Sequence, residues 1–112
     1  MLYESYTIAQ NISTETSSTT EKFPGPGRNN RNDKTVTVNY QLNNFSGSIK
    51  IQGTLELFPG EDDWSDIDST SIGGDSSIID NDYTLNFTGN FLWLRAAYTI
   101  QNGTITEIRY NL

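Results

Sequence analysis

Thr35-Val36-Thr37-Val38-Asn39-Tyr40-Gln41-Leu42 puts an apolar residue at every second position, with Val36, Val38, Tyr40 and Leu42 on one side and Thr37, Asn39 and Gln41 on the other. Successive side chains of a strand point to opposite faces, so this alternation predicts a strand with one face on a core and the other in water. The pattern returns after Asn43-Asn44-Phe45-Ser46-Gly47, with Ile49, Ile51, Leu55 and Leu57 against Ser48, Lys50, Gln52, Thr54 and Glu56. Polar residues and a glycine between two alternating runs read as a turn, so the two runs are expected to pair as a hairpin. Gly53 falls on the inward side, where it is expected to mark a bend or a bulge.

Toward the C-terminus, Pro59-Gly60 ends the second run and an acidic, turn-rich region from Glu61 to Asp82 follows. Tyr83, Leu85 and Phe87 then alternate again, Gly89-Asn90 turns, and residues 91–100 are almost continuously apolar. A strand covered on both faces has that composition. Asn102-Gly103 is a strong hairpin signal, because both central residues of a type I′ turn need positive φ, and it leads into a last run, Thr104 to Leu112. Helical periodicity is missing throughout. With a first strand within residues 1–9, the expected fold is all-β, an antiparallel β-sandwich of about seven or eight short strands. Its buried residues are expected to include Val36, Val38, Tyr40, Ile49, Ile51, Leu55, Tyr83, Leu85, Phe87, Leu92, Leu94 and Ile100.

Residues 10–34 break the pattern. They are rich in Ser, Thr, Asn and Gly and offer only Ile12 and Phe23 for burial, too little to offset an ordering cost of about 1–2 kcal/mol per residue in the backbone alone. This stretch is expected to form a long N-terminal arm or loop that makes few contacts with its own domain, and residues 35–112 to form the sandwich core. Phe23, Arg28, Arg31 and Lys34 are the candidate interface residues of the arm, the three cations facing acidic surface on a neighbour.

Composition narrows the chemistry. The 112 residues carry seven Lys plus Arg against fourteen Asp plus Glu, a net charge of −7, and contain neither Cys nor His. Disulfides, thiol catalysis, Cys/His zinc sites and His-based triads lack their reactive groups. A charge of this sign argues against nucleic-acid binding, which needs clustered positive surface. There is no run of about 18 apolar residues that would predict a membrane span, and Met1-Leu2-Tyr3-Glu4-Ser5-Tyr6 has neither the basic start nor the apolar centre of a secretory signal. The chain is expected to be soluble and made in a cytoplasm.

Nine of the fourteen carboxylates fall between residues 56 and 82, with no Lys or Arg among them. Two carboxylates can serve as a glycosidase pair, but none of these sits in an apolar run that would raise its pKa. The stretch from Asp66 begins like a calcium-binding EF-hand loop, yet Ser71 stands at the sixth position where glycine is needed and Ser77 at the twelfth where glutamate is needed. No catalytic, cofactor-binding or metal-ligating residue is assigned, and the acidic stretch reads as solvated turns. Trp64, flanked by Asp63 and Ser65, is either an aromatic that packs under its own turn or a platform for stacking a sugar ring. Trp93 is expected in the core or covering a sheet face. Arg95, inside the apolar run, needs a partner wherever it is buried.

Two segments, Ser48-Ile49-Lys50-Ile51-Gln52-Gly53-Thr54-Leu55 leading to Asp62-Asp63-Trp64-Ser65-Asp66-Ile67, and Asn86-Phe87-Thr88-Gly89-Asn90-Phe91-Leu92-Trp93-Leu94-Arg95-Ala96 leading to Gly103-Thr104-Ile105-Thr106, resemble a recurring module in small structural proteins of tailed, T4-like bacteriophages of marine cyanobacteria and their relatives. The resemblance spans roughly residues 35 to 112. It implies a β-sandwich displayed on a virion and made in the host bacterial cytoplasm. The expected function is therefore a non-enzymatic virion structural or accessory protein without cofactors, head decoration ranking ahead of tail, neck or fibre attachment. Its partners would be other virion proteins in many copies per particle, with no nucleic acid and no membrane. The alternative is a carbohydrate-binding module for host glycans, built around Trp64.

Overall fold

The structure, a computed structural model, describes residues 5–13, 16–29, 35–74 and 78–111. Among these residues lie seven strands: β1 (Ser5–Ile12), β2 (Thr16–Thr19), β3 (Phe23–Pro24), β4 (Thr35–Thr54), β5 (Ser65–Gly73), β6 (Asp82–Thr88) and β7 (Trp93–Asn111). All pairings are antiparallel. The fold is all-β and sandwich-like.

Two of the strands are long, which the sequence reading missed. β4 has 20 residues and β7 has 19, against a usual length of about 5–6. They pair with each other from Thr37 opposite Asn111 to Thr54 opposite Trp93, and every other strand joins one of their halves. β6 and β1 flank the half formed by residues 35–43 and 104–111. β5, β2 and β3 flank the half formed by residues 46–54 and 93–100. One sheet thus bends across its middle, bringing the inward faces of its halves together. Tyr40 Oη donates to the Thr70 carbonyl at 2.9 Å, tying one half to β5 on the other, and Tyr110 Oη donates to the Pro24 carbonyl across the same gap.

The two expected hairpin turns are the bend itself. Asn43 to Gly47 and Ile100 to Thr104 lie opposite each other, and the register slips at Asn43/Ser46 and again at Ser46/Gly47. Asn44 has φ +50° and Gly103 φ +81°. A Cβ on Gly103 would stand 2.1 Å from the Asn44 carbonyl oxygen, so the position accepts only glycine. The turn residues kink each strand without reversing it, because both runs of β4 find their partner in β7 and not in each other. Phe45, placed in the kink, is fully buried and exchanges two backbone hydrogen bonds with Ile79.

The core contains eight of the twelve residues expected there: Val36, Val38, Tyr40, Ile49, Ile51, Phe87, Leu94 and Ile100. Leu85 and Leu92 are half-buried. Leu55 is 70% exposed and Tyr83 37%; β4 ends at Thr54, so the alternation that placed Leu55 and Leu57 inside does not continue. Thr54 itself is buried, and its hydroxyl accepts the Glu56 N–H at 3.1 Å. Gly53 makes no bulge. It pairs regularly with Ser65 and Leu94, and the Phe91 ring lies where its Cβ would be, 2.5 Å away.

The acidic region holds a strand, β5, hidden by its polar composition. Between Ile49 opposite Ile72 and Ile51 opposite Ile67, β5 inserts extra residues. Thr70 closes the resulting bulge: fully buried, its hydroxyl donates to the Ile67 carbonyl at 2.6 Å and accepts the Ile51 N–H at 2.9 Å. A side chain here replaces the missing ladder acceptor.

The expected free arm is corrected where residues 10–34 are described. β2 and β3 pair with β7, and Thr20, Gly25 and Gly27 donate backbone hydrogen bonds to the carbonyls of Ala96, Leu92 and Phe91. Few apolar residues are needed, because backbone pairing with an open strand edge supplies the order. Phe23 packs against its own core. The side chains of Arg28, Arg31 and Lys34 lie outside the described residues.

Candidate functional site

The outer face of the half-sheet built on residues 46–54 and 93–100 carries the chain's two tryptophans and a buried cation. Gln52 and Arg95 are opposite each other in the β4–β7 ladder, and Gln52 Oε1 accepts from Arg95 Nε at 2.8 Å. Arg95 points away from the core side of β7, yet it is only 7% exposed. The connection from β4 to β5 covers it. Pro59-Gly60 and a single 3₁₀ turn at Glu61–Asp63 reverse the chain, with Asp63 capping the turn through Gly60 N–H at 2.8 Å. Trp64 then lies over the guanidinium, 4.4 Å from carbon to ring centroid.

This is an Arg held by cation–π contact and by neutral and charged oxygen acceptors, the arrangement that a buried guanidinium requires. Glu61 Oε1 stands 3.5 Å from Nη1, with a carboxylate side chain 85% exposed. Among the described residues, Gln52 and Glu61 are the only oxygen partners of Arg95. The terminal nitrogens therefore keep donor capacity.

A second cation–indole pair stands beside the first. Lys22 Nζ lies 5.2 Å from the Trp93 ring centroid, brought there by the pairing of β2 and β3 with β7. Trp93 is half-buried and covers the sheet face, its Nε1 donating to the Leu57 carbonyl at 2.9 Å. Between the pairs runs a groove of about 530 Å³, lined by Trp64, Trp93, Arg95, Lys22, Glu61 and Thr19 among others. Thr19 also borders a smaller groove of about 380 Å³ that continues along β7 to Thr99.

The acidic stretch does not converge. Asp66 is taken by Lys50 at 2.7 Å and by Gln52 Nε2 at 2.8 Å, and these hydrogen bonds, Lys50's first, hold its carboxyl below the usual range. Among the described residues no three carboxylates gather in a way that would hold a metal ion. Of the residues singled out from sequence, Trp64 and Arg95 are in contact. Lys22, Glu61 and Gln52 complete the site and were missed; the one signal for them was a charged residue inside an apolar strand, which demands partners without naming them. Comparison with protein-family models, with curated proteins and with solved structures finds no match.

Beyond the groove's rim, the β4–β5 connection exposes Leu55, Leu57 and Phe58, Phe58 at 89%.

Proposed function

We propose that the chain is a non-enzymatic structural or accessory protein of a bacteriophage virion, displayed on the particle, with head decoration preferred to tail, neck or fibre attachment. The observation that carries an assembly role is the Leu55–Phe58 turn. Three large apolar side chains stand exposed within four residues of a chain with net charge −7, and such a patch marks a contact with another protein. The basic stretch with Arg28, Arg31 and Lys34 adds the complementary element, meeting acidic surface on neighbouring subunits. The resemblance of residues 35–112 to small phage structural proteins supplies the particle. The absence of His and Cys from the sequence and the lack of a carboxylate pair in an apolar setting support a binding role over a catalytic one.

The test is incorporation. The chain should sediment with purified particles in a density gradient, and Leu55→Ser with Phe58→Ser should reduce its copy number at least tenfold while its far-ultraviolet spectrum stays unchanged. A chain absent from purified particles, or a double variant that incorporates normally, refutes the reading.

A further inference from the structure

We infer that the groove between Trp64 and Trp93 is a binding site for a neutral oligosaccharide, running along the outer face of β7 from Trp93 toward Thr99. The inference goes beyond the assembly role and does not depend on it.

Three observations carry it. The first is Arg95, more than nine-tenths buried and one of the groove's lining residues, whose terminal nitrogens have Glu61 at 3.5 Å as their one oxygen partner among the described residues. A guanidinium donor beside a carboxylate acceptor matches a pair of neighbouring sugar hydroxyls, each of which both donates and accepts. The second is the pair of indoles at the groove, Trp64 and Trp93. Arg95 occupies one face of Trp64 and Lys22 lies over one face of Trp93, so the apolar C–H face of a pyranose would stack on the opposite face of an indole. The third is charge. Lys22 and Arg95 are balanced in the lining by Glu21 and Glu61, so the site has no local excess to attract an anion, and the chain's net charge of −7 repels one.

The length of the face sets the size of the ligand. Trp93 to Thr99 spans six residue steps of β7, roughly 20 Å at a rise of about 3.3 Å per residue. Thr19 borders both grooves, joining them into one track. That track suits several sugar units in a row, with the Arg95–Glu61 pair reading one unit near its end. Lys50, at the far groove, is neutralised by Asp66.

The test uses the full chain on an array of neutral and sialylated oligosaccharides, followed by titration of the strongest neutral binder monitored through the two indole N–H signals in nitrogen-15 NMR. The expected result is binding to neutral oligosaccharides, with the Trp64 signal moving. Glu61→Gln, at an exposed side chain, should weaken binding at least tenfold while the far-ultraviolet spectrum stays that of the parent. Trp64→Phe, which keeps an aromatic ring over Arg95, should weaken it less than Trp64→Ala. Binding restricted to sialylated glycans, no binding on the array, or undiminished binding by Glu61→Gln would each overturn the inference. Loss of particle incorporation in the Leu55/Phe58 variant, with glycan binding intact, separates it from the assembly role.

Discussion

Replacing Thr70 with valine tests whether one buried hydroxyl stitches β5 to β4. The two side chains have nearly the same shape, so no cavity opens. What is lost is the acceptor for the Ile51 N–H and the donor to the Ile67 carbonyl, at 2.9 and 2.6 Å, in a position with no solvent exposure. An orphaned buried amide costs about 1–3 kcal/mol and the net worth of the second hydrogen bond is about 1 kcal/mol. Together they give a destabilisation of roughly 2–4 kcal/mol, or about 8–16 °C in melting temperature at roughly 4 °C per kcal/mol for a domain of this size. Thr70→Ser keeps the hydroxyl and gives up one methyl, so it should cost only about 1 kcal/mol. Urea denaturation followed at the β-sheet band ranks the three proteins, and hydrogen exchange should show the Ile51 amide losing protection in the valine variant first. If Thr70→Val is as stable as Thr70→Ser, the hydroxyl is not the ladder's missing acceptor and the account of the bulge is wrong.

Other expectations follow from the same geometry. Ile51→Ala, at a fully buried site, should cost about 2–5 kcal/mol, whereas Leu55→Ala, at a site 70% exposed, should fall within about 0.5 kcal/mol of the parent; equal effects would mean that β4 continues past Thr54. Gly103→Ala should cost at least about 1–3 kcal/mol from its φ of +81° alone, and more from the Asn44 carbonyl in its way, read as a lowered urea midpoint. Asp66 should titrate below an ordinary aspartate in carbon-13 NMR and return toward the usual value in Lys50→Ala. Because its folded-state pKa is depressed, the stability it contributes is present at neutral pH and is lost as pH falls below the ordinary carboxylate range; an unshifted Asp66 would remove that contribution.

The fold class was legible because period-two alternation survives in Val36 to Leu42, where one face of the strand is buried, and in Tyr83 to Phe87, where burial runs from an exposed Tyr83 through a half-buried Leu85 to a buried Phe87. The layout was harder to read. Asn43-Asn44-Phe45 and Asn102-Gly103 carry true turn chemistry, but local sequence does not say whether positive φ reverses a strand or only bends it; that depends on which partner the flanking runs find. β5 was invisible because its burial rests on Ile67 and Thr70, the latter polar and satisfied by hydrogen bonds that no periodicity announces. At the site, Arg95 was visible as an anomaly, while Lys22 and Glu61 arrive from loops whose positions are set by pairing and by the Pro59-Gly60 turn.

The shared bend fixes the order in which the protein can be made. β4 begins at Thr35, but its ladder partner in both halves is β7, which ends at Asn111. During synthesis the 20 residues of β4 emerge and wait, with the amides of their β7-facing edge open, until β7 has begun to leave the ribosome. Neither half can close on β4 alone: residues 46–54 wait for residues 93–100, and residues 37–43 wait longer still, for residues 104–111. Such non-local pairing makes for slow folding and a long interval of exposed edge. A ribosome that stalls anywhere before the last strand therefore leaves a chain whose longest edge is free to pair with the same edge of its neighbours on the polysome.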